Sequence, residues 1–162
     1  MQSCNLEELS DYLEISYDCL PYIEVINVGF TVLFNVGSTR EYVVSDTVVP
    51  YNWILMNTGG YYNSVIKAFI CPVEGVYLFS TSIQTSSQND QAAVAITVNT
   101  DYYSYTWADS TEGDDNDVAT SVVTVDCKAG DRVWVTTRRD SYIYANYKQN
   151  LFSGVLISPK NP

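Results

Sequence analysis

The stretch "ADSTEGDDND" at 108–117 is the most charged in the chain, and its carboxylates have the chemistry to hold a hard cation. Ca²⁺ takes several oxygen ligands, which one flexible loop or several subunits can supply. An EF-hand is excluded, because Gly113 sits one place too early and no terminal Glu follows at the required spacing. Ordinary solvation of an acidic loop is the plainer alternative. A second stretch, "RRDSYIYANYKQN" at 138–150, gathers Arg138, Arg139 and Lys148 with Tyr142, Tyr144 and Tyr147. Guanidinium forks match carboxylates, so an acidic sugar such as a sialic acid is a candidate ligand there. The competing reading is that the arginine pair only neutralises nearby carboxylates. A third run, "DYYSYTW" at 101–107, read as one strand, places Tyr103, Tyr105 and Trp107 on one face and Tyr102 on the other. Such residues suit a sugar-binding surface or a subunit interface, and equally the packing of a core.

Catalysis finds no support. The chain has no His, and it lacks a nucleophile elbow, a P-loop and a metalloprotease signature, so the expectation is a non-enzyme. Its four cysteines have no His with which to share a zinc site, which favours disulfides and an oxidising compartment. A net charge of −11 repels phosphate backbones and anionic lipid, so nucleic acid and membrane surfaces are poor partners. The uncharged stretch at 47–66 is long enough to span a bilayer but is broken by Pro50, three Asn and a Gly pair, so membrane insertion is not expected. The acidic, amphipathic start does not read as a secretory signal; a secreted product would be the mature chain.

These residues need a scaffold, and 162 residues suffice for one domain with a real core. Residues 1–27 read as an N-terminal extension. Within it Asn5 and Glu8 stand at capping-box spacing, and Leu6, Leu9 and Leu13 fall on one face of a short amphipathic helix. That helix either lies on the domain as a fraying terminus or bundles with its copies about an oligomer axis. From 28 to 162 the pattern is all-β, with ten predicted strands at regular spacing that indicate a sandwich or a barrel. Within "GVYLFSTSIQ" Tyr77, Phe79 and Ile83 point one way, and Val76 and Leu78 the other. In "FSGVLI" Phe152 and Leu156 oppose Val155 and Ile157. One row of each strand can fill a core while the other meets a partner or another segment of its own chain.

In order along the chain come Asn57 with Gly59, then Phe69, Pro72, Gly75, Tyr77 and Phe79, then Asn99, "AGDRVWV" at 129–135 and "FSGVLI" at 152–157. This series resembles the globular domain of the C1q family, within the C1q/tumour-necrosis-factor superfamily, from about Phe30 to Ile157. The resemblance implies a ten-stranded jelly-roll sandwich and a homotrimer, with Val76, Leu78, Val155 and Ile157 at the trimer interface. It also implies a Cys71–Cys127 bridge at one end of the sandwich, leaving Cys4 and Cys19 to pair locally or between chains. In one branch of the family two Asp before the "G-D" strand bind calcium near the trimer axis, and Asp109 and Asp117 occupy the matching positions. The absence of a Gly-X-Y tract sets the chain beside head-only C1q-domain proteins of invertebrates, many of them lectin-like receptors of innate immunity. The expectation is a secreted, extracellular homotrimer that binds a glycan or a pathogen surface multivalently, with Ca²⁺ as its candidate cofactor. The alternatives are an acidic calcium-binding matrix protein and a receptor-binding signalling ligand.

Overall fold

The computed structural model describes residues 28–33, 41–85, 90–110, 116–144 and 149–160. The expected N-terminal helix, Cys4, Cys19 and Lys148 lie outside them. All regular structure among the described residues is strand: β1 (Gly29–Leu33), β2 (Glu41–Val43), β3 (Trp53–Thr58), β4 (Tyr62–Asn63), β5 (Ala68–Ile70), β6 (Gly75–Gln84), β7 (Gln91–Val98), β8 (Asp101–Tyr102), β9 (Thr106–Asp109), β10 (Val118–Cys127), β11 (Arg132–Thr137), β12 (Ser141–Ile143) and β13 (Leu151–Pro159). The ten expected strands become thirteen because short pairings at β4 and β12 add two and the tyrosine run divides between β8 and β9. One antiparallel sheet has the order β10-β6-β13-β1-β3. The other runs β4-β5-β11-β7-β8, with β9 also on β7, and β12 pairs with β2 apart from both.

The sandwich interior follows from the two-residue period. Tyr77, Phe79, Thr81 and Ile83 of β6 turn inward, as do Ala92, Val94 and Ile96 of β7 and Val133 and Val135 of β11. Phe30 sits at the centre, its ring 4.7 Å from Phe69 and 4.9 Å from Phe152. Gly154 explains the terminal "F-S-G": a Cβ there would lie 2.5 Å from Cδ1 of Phe79 and 2.6 Å from Cε1 of Phe30. Only a residue without a side chain lets those rings meet the backbone of β13.

Turn chemistry fixes the ends. Asn57 brackets Tyr62, its amide donating to the Tyr62 carbonyl at 2.9 Å while its carbonyl oxygen accepts from the Tyr62 N–H. Tyr62 then reaches inward and donates its hydroxyl to the carbonyl of Tyr51. Burial pushes the phenols of both tyrosines up, so they stay neutral hydrogen-bonding groups. The "A-G-D" motif closes the β10–β11 turn: Asp131 accepts from the Lys128 N–H at 2.7 Å and from the Asn99 amide at 3.0 Å, with Gly130 at φ 88°.

Candidate functional site

β7 is buried along both faces after Gln91, although its outward row is only Ala93, Ala95 and Thr97. Aromatic and arginine side chains of neighbouring strands stand around that row. Thr97 pairs with Tyr102 of β8, and Ala93 with Trp107 of β9. Both partners therefore share the outer face, which corrects the expectation that Tyr102 and Trp107 face opposite ways. The alternation resets at Ser104, where the chain leaves its strand: the Tyr103 N–H donates to the Ile96 carbonyl at 2.9 Å, and the Ser104 hydroxyl accepts from the Ile96 N–H.

Two arginines complete the patch. The Arg138 N–H donates to the Ala93 carbonyl at 2.7 Å, which anchors the segment leaving β11 beside β7. Its guanidinium lies 3.9 Å from the centre of the Tyr102 ring and makes a 2.9 Å ion pair with Asp46. Arg139 lies over Trp107 at 5.0 Å and makes no ion pair among the described residues. Trp107 remains 48% exposed, with Tyr105 edge-on to it at 6.5 Å. The arrangement offers a cation over a half-exposed indole in a strongly acidic chain.

The other residues read from the basic stretch divide. Tyr142 packs its ring 5.0 Å from Tyr42 in the β2–β12 pair. Tyr42 donates to Asp140 at 2.7 Å, and the Ser45 N–H donates to the other carboxylate oxygen at 2.9 Å. Those two bonds hold the Asp140 carboxyl below its ordinary range, and the same contact raises the Tyr42 phenol. Tyr144 follows β12 toward the end of β6, its N–H donating to the Gln84 carbonyl at 2.8 Å. The arginine partners Asp46, Tyr102 and Trp107 were not assigned to this site from sequence. The tyrosine run supplied a signal for two of them, but Asp46 is brought in only by the β2 segment folding beside β11.

Asp109 and Asp117 do come together. Asp117 accepts from the Asp109 N–H at 2.8 Å, and Asp109 accepts from the Gln91 amide at 3.2 Å. The Thr85 N–H donates to the Asp117 carbonyl at 2.9 Å. These carboxylates hold the base of the acidic loop closed. Among the described residues no group of three metal-ligating side chains is gathered; Glu112, Asp114 and Asp115 of the acidic loop lie outside them.

The outer face of the five-stranded sheet carries the remaining candidates. Thr124, Leu78, Val155 and Gly29 form one cross-strand row, and Val122, Ser80 and Ser153 the next. Leu78, Val155, Ile157 and Val122 are exposed and Val76 is half-buried. The edge strand β3 exposes Trp53, Ile54, Leu55 and Met56, of which Trp53 and Met56 lie on the rows of this face. This face is both apolar and, among the described residues, without a covering segment.

The profile of the C1q domain family matches residues 32–157. Complement C1q tumor necrosis factor-related protein 2 is 32% identical over 128 residues in both Mus musculus and Homo sapiens, an alignment that takes in 76% of this chain and 42% and 44% of theirs. The chain thus spans less than half the length of these relatives. The globular domain of zebrafish complement 1qA superposes with a TM-score of 0.64 at 18% identity, covering 83% of this chain and 99% of that one. An Eiger tumour necrosis factor from S. frugiperda superposes with a TM-score of 0.68 at 14% identity, covering 84% and 96%. These two likenesses show the jelly-roll fold.

Proposed function

Because the chain belongs to the C1q domain family, we propose that it is a secreted, non-enzymatic recognition head that assembles as a homotrimer and binds anionic glycans of a cell or microbial surface. The observation that carries the ligand class is the Arg139 guanidinium over the half-exposed Trp107 in a chain of net charge −11. A carboxylated sugar satisfies both groups, its carboxylate taking the guanidinium edge and its apolar ring face the indole. The uncovered apolar sheet supports the trimer, which multiplies a weak site threefold against a repetitive surface and gives avidity without further contacts. Such a head fits a lectin-like part in innate immunity.

Calcium enters this reading through assembly, since three protomers bring three Asp109–Asp117 pairs to one particle. The relationship to tumor necrosis factor-related proteins carries a second reading, a signalling ligand for a receptor. Binding to sialylated and desialylated glycoprotein, competed with free sialic acid, tests the proposal. The expected result is capture only of the sialylated form and release by free sugar, with Arg139→Ala weakening binding about tenfold. Sugar-indifferent binding, or an unaffected Arg139→Ala variant, overturns the glycan reading.

A further inference from the structure

At the end of the sandwich opposite Asp109 and Asp117, Cys71 and Cys127 are buried free thiols within interaction range of each other. The bridge implied by the resemblance is present here as its two reduced halves. Their backbones come from different sheets. Cys71 follows β5, and the β10–β11 turn clamps it: its N–H donates to the Asp131 carbonyl and its carbonyl accepts from the Gly130 N–H, both at 2.8 Å. Cys127 ends β10, opposite Gly75 of β6. The connection from Cys71 to β6 is itself held by Tyr77, whose hydroxyl donates to the Val73 carbonyl at 2.8 Å. Four strands and two closed turns therefore hold the backbones of the two cysteines side by side.

We propose that Cys71 and Cys127 close into a disulfide in an oxidising compartment and pin the two sheets together at this end. Several features select this use of the pair. No third metal-ligating side chain joins it among the described residues, so a structural zinc site is incomplete. The mutual influence of the two buried thiols raises Cys71 and lowers Cys127, which favours Cys127 as the attacking thiolate. Lys128, Ala129 and Gly130, which follow Cys127 directly, form an exposed turn.

With glutathione disulfide as oxidant, the Cys127 thiolate attacks one glutathione sulfur and releases the other as glutathione thiolate. The Cys71 thiolate then attacks the Cys127 sulfur of the mixed disulfide and releases the second glutathione. One protein S–S bond forms and one glutathione S–S bond breaks. The two electrons and two protons leave on two glutathione molecules.

The test uses the full chain with Cys4→Ser and Cys19→Ser, equilibrated in glutathione buffers and then mapped by non-reducing peptide mass spectrometry. Oxidised buffer should yield a linked 71–127 peptide pair lighter by two hydrogens, with neither thiol alkylated after denaturation. The bridge closes a loop of about 55 residues, so Tm should rise on the order of 10 °C and fall back with dithiothreitol. A Cys71→Ala, Cys127→Ala variant on the same background should be indifferent to reductant. Thiols that alkylate after equilibration at a secretory glutathione ratio overturn the proposal. So does a map of the wild-type chain that links Cys71 or Cys127 chiefly to Cys4 or Cys19.

Discussion

Replacing Leu78 by Asp separates the two roles of β6. In one protomer Leu78 is 36% exposed, beside Val155 on the outer row, whereas its neighbours Tyr77 and Phe79 carry the core. Full burial of a leucine contributes about 1.5–3 kcal/mol, so covering the remaining third contributes about 0.5–1 kcal/mol per protomer. Leu78→Ala then removes up to about 1.5–3 kcal/mol from a trimer, which weakens assembly roughly ten- to a hundredfold. Leu78→Asp has a different scale, because desolvating a carboxylate costs several kcal/mol per ion and the trimer must desolvate three. The expected outcome is a folded monomer, read by sedimentation equilibrium at micromolar concentration with an unchanged far-ultraviolet circular dichroism spectrum. A Leu78→Asp protein that stays trimeric places the interface elsewhere, and a monomeric parent protein removes the trimer altogether.

Gly154→Ala should lower stability by about 1–3 kcal/mol through overpacking against Phe30 and Phe79, read as a lower urea midpoint at unchanged slope; equal stability would show that the rings have room. Tyr42→Phe should let the Asp140 carboxyl titrate higher, followed by carboxyl carbon NMR, and an unmoved titration would deny the hydrogen bond its part. Because the folded Asp140 carboxyl is held below its unfolded value of about 3.9, its small contribution to stability is present above that pH. It is lost as pH falls through the folded value. Calcium should raise the trimer's Tm, and Asp109→Ala with Asp117→Ala should abolish that rise; a retained rise moves any cation site away from this corner.

Much of the sandwich was legible because its signal is local. The alternation in "GVYLFSTSIQ" assigns Tyr77 and Phe79 inward and Leu78 outward, and each takes that place. The spacing of "P-x-x-G-x-Y-x-F", "G-D" and "F-S-G" reports turns and a close ring approach that few other residues allow. The arginine patch was only half legible. Its cations were visible as a charge cluster, but their aromatic partners depend on how a broken strand pairs with β7. A two-residue period cannot be carried across Ser104, where the chain leaves the sheet. Asp46 was invisible for a related reason: it reaches Arg138 through a pairing more than ninety positions long, which nothing local encodes. At the acidic loop the sequence showed the carboxylates but not that the Asp109 N–H donates to Asp117, a contact that depends on how the ends of β9 and β10 meet.

The aromatic core has a spectroscopic consequence. Phe30, Phe69, Phe79, Phe152, Tyr51 and Tyr77 fill the interior, while all three tryptophans lie outside it. Trp53 is on the edge strand β3, Trp107 is under Arg139, and Trp134 is half-buried on the outer face of β11. Indole emission in this protein therefore reports its surfaces more than its unfolding. Assembly that covers β3 should shift the Trp53 contribution to the blue, and an occupant of the arginine patch should alter the Trp107 contribution. The two events on which the proposed biology depends carry separate native fluorophores, and a single-tryptophan variant can follow either one without a label.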